Sequence, residues 1–154
     1  MSLQIETAEL SSPQVQALIL ALNAELEGRY PELGANHFRL DAEDLSPGRG
    51  ALFMAYLDGQ PVGCGAVRRI GDGEAEVKRM YTVPQARGKG IGSAILSAIE
   101  REARKLGVGR IVLETGVRQP EALALYRRMG FLEIPLFGEY IGSATSVCMA
   151  KELP

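Results

Sequence analysis

A single histidine, His37, stands in a chain of 154 residues, so no histidine-based metal site can be assembled from this sequence alone. The two cysteines, Cys64 and Cys148, lack the close spacing of metal ligands, and no metal is expected. Net charge is only −2, which argues against a nucleic-acid partner held by bulk electrostatics. No apolar run is long enough to span a bilayer, so a membrane role is not expected either. The chain opens without a charged and then apolar signal segment, and with so few cysteines a reducing, cytoplasmic setting is expected and a disulfide disfavoured. Internal repeats, low-complexity stretches and linkers are also missing. What remains is 46% hydrophobic, enough for one domain over 1–154 with a single core and a ligand cleft beside it.

The most informative stretch lies between Tyr81 and Gly92, YTVPQARGKGIG, which runs straight into SAILSAIEREARKLG. Glycines at 88, 90 and 92 let backbone approach a bulky ligand closely, and a helix start offers unpaired N–H groups and a positive dipole end. That combination is an anion cradle, best suited to a phosphate or pyrophosphate. A Walker loop would need Ser or Thr after Lys89, where Gly90 stands. A dinucleotide fingerprint needs two residues between its second and third glycines, where this chain has one. Without further context the string also reads as a glycine-rich turn before an ordinary surface helix. Between 68 and 89, six basic residues stand against three acidic ones, a local excess that a small polyanion could use.

Around this stretch the chain alternates extended and helical signals. Leu3 and Ile5 suit a short strand; Ser12 and Pro13 open a helix whose apolar face carries Val15, Leu18, Ile19, Leu22 and Leu26, with Gly28 expected to close it. Residues 29 to 50 read as an irregular excursion with a weakly helical piece near 41 to 45. ALFMAYL, Asp58 with Gly59, and QPVGCGAVRRI predict a hairpin, and EAEVKRMYTV a third strand leading to the glycine loop. A helix from about 91 to Gly107 precedes the buried strand RIVLET, parallel to its predecessor through a right-handed crossover. Pro120 and Gly130 punctuate a short helix carrying Ala122, Leu125, Tyr126 and Met129, and TSVCMAKEL predicts a final strand.

In this order, EVKRMYTV, QARGKGIG, a helix, a strand and EALALYRRMGF, the chain resembles the GNAT superfamily of N-acetyltransferases. The likeness is close over 51 to 134 and elsewhere rests on element order. Gln85, Gly88 and Gly90, and again Arg87, Gly90 and Gly92, meet the family's loop pattern. The resemblance implies an α/β (α+β) fold: a mixed sheet splayed between two parallel strands, helices on both faces, and acetyl-coenzyme A in the gap. It also implies that backbone N–H groups from about Arg87 through Gly88, Lys89, Gly90, Ile91 and Gly92 to Ser93 hold the pyrophosphate. Pantetheine would pair with backbone near Met80, Tyr81 and Val83. Gln119 stands where many relatives have Asn, which puts a side-chain contact to the pantetheine arm in question.

Acyl transfer to an amine needs a proton acceptor, because an α-amino group titrates near ~8 and a lysine near ~10.4. The departing thiolate, with a pKa near ~8.5, benefits from an acid, and the tetrahedral oxyanion from an N–H donor. By family comparison Tyr126 is the expected acid, Glu76 the base acting through water, and a backbone amide near Met80 or Tyr81 the oxyanion donor. The acceptor pocket is expected from 27 to 40, including Tyr30 and His37, with Arg68, Lys78, Arg79, Glu114, Phe137, Glu139 and Tyr140. Cations beside aromatics suit a small amine that also bears a carboxylate, or a peptidyl amine. A catalytically silent acyl-CoA-binding module is the rival reading. The resemblance also implies a homodimer, joined through the terminal strand or an exposed apolar face.

Overall fold

The computed structural model describes residues 2–33 and 40–154. Seven strands form one sheet in the order β1-β2-β3-β4-β5-β7-β6, and three α-helices cover it. The strands are β1 (Leu3–Ala8), β2 (Gly50–Leu57), β3 (Gln60–Arg69), β4 (Glu74–Thr82), β5 (Arg110–Gly116), β6 (Leu132–Ile134) and β7 (Ser146–Glu152). The helices are α1 (Pro13–Arg29), α2 (Ile91–Lys105) and α3 (Pro120–Arg128). Expected His37 and the rest of 34–39 lie outside the described residues.

Local chemistry accounts for most boundaries. Asp58 and Gly59 both take positive φ, 51° and 83°, which is the twist that joins β2 to β3 without splaying them. Pro13 and Pro120 open α1 and α3, where their missing N–H has no intrahelical partner to lose. Gly130 ends α3 with φ 96°. Gly28 does not close α1 as expected: the helix runs on to Arg29, and Tyr30 caps it by donating its amide to the Leu26 carbonyl. Gly28 has no neighbour within 4 Å of a would-be Cβ, so the glycine is tolerated within the last turn and terminates nothing.

Strand alternation divides the core between the two faces of the sheet. Leu52, Met54, Cys64 and Ala66 pack with Val15, Leu18 and Leu22 of α1, whereas Phe53, Ala55 and Val67 pack with Ile91, Ile95 and Ile99 of α2. Each large aliphatic side chain so buried contributes about 1.5–3 kcal/mol. Both cysteines are free and buried. The terminal strand β7 lies between β5 and β6, and β6 forms that edge of the sheet with its Leu132 exposed.

Two irregularities position the site. β4 pairs in parallel with β5 only from Glu74↔Arg110 to Val77↔Leu113, after which the two strands part. Just beyond, the β3–β4 register slips, two residues of β3 spanning three of β4, and Arg79 there adopts φ 57°. The bulge turns the remainder of β4 away from β5.

A backbone contact at the head of β2 offers a direct check. A Cβ on Gly50 would collide with the main-chain carbonyls of Val67 and Asp44, which have no rotamer to yield. Gly50→Ala should therefore lower the unfolding free energy by about 1–3 kcal/mol, measured by urea denaturation at neutral pH.

Candidate functional site

Where β4 leaves β5, the chain passes through a 3-10 turn (Pro84–Ala86) into the glycine loop and α2. Gly88 and Gly90 sit at φ 80° and 79°, and Gly90 is the residue that caps α2. The first backbone bond after the turn is Ala94 donating to the Gly90 carbonyl. Among the described residues, none of the six amides from Gly88 to Ser93 donates to a protein acceptor. Of these residues Gly88, Gly90, Ile91, Gly92 and Ser93 border a cleft of about 380 Å³ lying between α2, α3 and the end of β4. A Cβ on Gly92 would press to 2.7 Å from the tip of the Leu125 side chain of α3, which would have to shift to admit it.

A second cavity of about 130 Å³ opens between α1, β4 and β5. The two spaces share Leu22, Met80, Gln119 and Tyr126, so a ligand in one meets a ligand in the other at Tyr126. The Tyr126 ring is 5% exposed and packs edge-on to Phe131 at 5.7 Å. Its hydroxyl has no hydrogen-bond partner among the described residues, and burial, with the nearby Glu114 carboxylate, pushes its pKa up, keeping the phenol protonated. Glu114, from β5, lines the smaller cavity. Burial raises its pKa from 4.5 to about 7, against the opposing pull of a 2.6 Å hydrogen bond from Ser146.

The expected site residues fall into three groups. Met80, Tyr81, Arg87, Gly88, Gly90, Ile91, Gly92, Ser93 and Gln119 line the larger cleft, and Tyr30, Lys78, Arg79, Glu114 and Tyr140 the smaller cavity. Val83, Gln85, Lys89, Arg68, Glu76 and Phe137 line neither. Arg87 reaches back to the Thr82 carbonyl at 2.9 Å and Glu25 of α1 at 2.7 Å, with its guanidinium over the Tyr81 ring. Glu76 is 2% exposed, with Arg68 bonded to one oxygen at 2.9 Å and the Tyr140 hydroxyl donating to the other at 2.6 Å. Lys78 completes this group at 3.2 Å from the Tyr140 oxygen, and desolvation lowers its pKa. Glu76 thus holds together the wall behind the cavity. Gln119 accepts from the Tyr30 hydroxyl at 3.3 Å, and that hydroxyl accepts the Arg118 amide at 2.9 Å, tying the end of α1 to the β5–α3 turn.

Glu25 and Ser146 were missed by sequence reasoning. Both belong to elements recognised correctly, but neither carries a local pattern: each becomes part of the site through a partner dozens of residues away.

Comparisons with known proteins agree on one family. The model of the acetyltransferase (GNAT) family matches residues 16–131. The chain is 41% identical over 140 residues, 90% of each protein, to the IAA acetyltransferase of Azospirillum brasilense. A structure from Klebsiella pneumoniae assigned as an acyl-CoA N-acyltransferase superposes with TM-score 0.83 at 33% identity, covering 99% of this chain and 98% of that one. The PaiA N-acetyltransferase of Thermoplasma acidophilum, solved with coenzyme A, superposes with TM-score 0.72 over 99% of both chains; at 18% identity it shows likeness of fold.

The Glu114 shift has a measurable consequence for stability. The folded chain keeps this proton to about pH 7 whereas an ordinary glutamate releases it near 4.5, so within that window folding takes up a proton. The contribution is intact below the lower value and is lost as pH rises through the upper one. Glu114→Gln should flatten the fall in unfolding free energy between about pH 5 and pH 8, measured by urea denaturation at both ends; an unchanged fall would show an ordinary carboxyl.

Proposed function

The chain belongs to the acetyltransferase (GNAT) family, and from that premise we propose that it transfers the acetyl group of acetyl-CoA to the primary amine of a small, carboxylate-bearing acceptor. The observation that carries the reading is the meeting of the two cavities at Tyr126, with six unengaged amides at the far end of one and a proton-accepting carboxylate in the wall of the other.

The amides of 88–93 and the start of α2 suit the CoA pyrophosphate, an anion recognised by donors that cost no reorganisation. Arg87 is held beside them by Glu25 and Thr82 and adds positive potential to the cleft wall. The parting of β4 from β5 leaves room for an extended pantetheine arm along Met80 and Tyr81, and leads the thioester to the Tyr126 hydroxyl. Gln119 borders both spaces but is already engaged with Tyr30, so its contribution to the arm is secondary.

The acceptor enters the smaller cavity as an ammonium ion. We assign the base to Glu114 in place of Glu76, whose oxygens are occupied by Arg68 and Tyr140. Near neutral pH a raised carboxyl pKa makes Glu114 an effective acceptor for the ammonium proton. The freed amine attacks the thioester carbon, an N–C bond forms, and the C–S bond breaks as the tetrahedral intermediate collapses. The amide nearest the β4 bulge, at Met80 or Tyr81, is the donor offered to the oxyanion. The leaving thiolate takes the proton of Tyr126, and the phenolate so formed takes the second proton of the attacking nitrogen, which leaves the neutral amide, the free thiol and the phenol. Lys78 and Arg79 line the same small space, where a carboxylate on the acceptor would meet positive charge.

A panel of L-amino acids, their amides and unsubstituted aminoalkanes, followed by acetyl-CoA-dependent release of free thiol, tests the assignment. Amino acids should outperform the other two sets, and Arg79→Ala should cost amino acids about 10–100-fold in kcat/KM while leaving amides little changed. Tyr126→Phe should slow turnover at saturating acceptor by about 100-fold with acetyl-CoA affinity retained. Acetyl-CoA binding without acceptor-stimulated thiol release would instead identify a silent binding module.

A further inference from the structure

We propose that the hydroxyls of Ser146 and Ser143 form a proton exit, carrying the proton taken up by Glu114 out of the acceptor cavity to solvent. The inference rests on Glu114 acting as the base. Ser146 Oγ donates to Glu114 Oε2 at 2.6 Å, and Ser143 Oγ lies 2.7 Å from Ser146 Oγ in an arrangement where either hydroxyl can donate. Ser146, the first residue of β7, lines the cavity; Ser143 does not. Ser143 is half-buried between the exposed Gly142 and Ala144. The chain of hydroxyls therefore begins at a residue that lines the cavity and ends at a half-buried one between two exposed neighbours.

The need for such a path follows from the geometry. A bound acceptor occupying a cavity of only about 130 Å³ displaces water from beside Glu114, so the proton needs another carrier there. Ionisable groups face Glu114 from every neighbouring element: Lys78 and Glu76 on β4, Tyr126 on α3, Tyr30 at the end of α1, Glu139 and Tyr140 in the loop before β7, and Cys148 on β7. None of them hydrogen-bonds to its carboxylate. Among the described residues Ser146 is the only one that does.

The step balances without any further reagent. The acceptor ammonium gives its proton to Glu114 and becomes the neutral amine that attacks. Protonated Glu114 then donates from Oε2 to Ser146 Oγ, the Ser146 proton passes to Ser143 Oγ, and the Ser143 proton passes to a solvent water. Each hydroxyl loses one proton and gains one, and Glu114 returns to the carboxylate form. Backbone bonds hold the two serines in reach: Ser143 N donates to the Tyr140 carbonyl, and Val117 N, at the end of β5, to the carbonyl of Thr145 beside Ser146.

Because Ser146 also touches Glu114, the decisive variant is Ser143→Ala, which leaves the base and its first partner in place. Steady-state acetyl transfer, in which Glu114 must shed its proton in every cycle, is measured in dilute buffer with the fastest acceptor of the amine panel at saturating acetyl-CoA. Ser143→Ala should slow it by about tenfold, less than the ~100-fold or more that losing a general acid or base costs, because the base itself stays in place. Ser143→Thr, which keeps the hydroxyl, should stay at the wild-type rate, and added imidazole should restore the alanine variant by carrying the proton itself. The Glu114 titration in the alanine variant, followed by carbon-13 NMR of labelled glutamate, should stay at the wild-type midpoint, which separates transport from a change in the base. Wild-type turnover of Ser143→Ala with wild-type imidazole dependence would overturn the exit. Glu114→Gln separates the premise. If it turns over with the wild-type pH profile, or if the panel yields no acceptor, the base assignment falls and the exit with it. If Glu114→Gln is impaired while Ser143→Ala is normal, the exit alone falls.

Discussion

The four residue pairs that join β4 to β5, and the absence of a fifth, govern everything else in the molecule. Up to Val77 and Leu113 the two strands share a ladder, so the sheet remains one body with a core on each face. Beyond that point each strand has freed main-chain groups and diverging side chains, and the space between them becomes the seam where both cavities meet. A parallel pair parts in this way only if something redirects one strand. Here it is the extra residue in β4 and the left-handed backbone of Arg79, a conformation a non-glycine residue holds at a cost of order 1–3 kcal/mol. The bulge also places Lys78, Arg79 and Met80 on the cavity wall together, which strict alternation along a strand would forbid.

The wall behind the smaller cavity shows how buried charge is managed. Glu76 and Lys78 are almost wholly removed from solvent, yet neither is isolated: Arg68 bridges Glu76 to Asp44, and Tyr140 bonds both Glu76 and Lys78. Each partner offsets the desolvation of another, so the group is stable as a set and poorly suited to exchanging protons with a ligand. Glu114 is in the opposite condition. Its carboxylate has one hydroxyl for company and a raised pKa, which leaves it responsive to whatever enters the cavity.

The fold was readable because its elements carry local signatures. The Asp58–Gly59 turn, the prolines that open α1 and α3, and the glycine stop at Gly130 each fix a boundary from a few neighbouring residues. The glycine loop could be located the same way, since positive φ at Gly88 and Gly90 and a helix start are both written locally. The roles of carboxylates were less legible. Glu76 and Glu114 are both strand glutamates that follow an apolar residue, and what distinguishes them is the company each keeps: Arg68 and Tyr140 for one, Ser146 for the other. Those partners lie 8, 64 and 32 positions away, and only the assembled sheet brings them into contact. Gly28 was misjudged for a related reason, because α1 ends where Tyr30 is captured by the β5–α3 turn and not where its own sequence first permits a stop.

That capture couples two positions far apart in the chain. The Tyr30 hydroxyl occupies the space that a Cβ on Gly116 would need, so one residue is large because the other is small. Divergence at either site is thereby chained to the other: a lineage that replaced the tyrosine with a slimmer side chain would gain licence to enlarge position 116, whereas the reverse order passes through a steric dead end. Anyone remodelling the smaller cavity should mutagenise positions 30 and 116 as a single paired codon set.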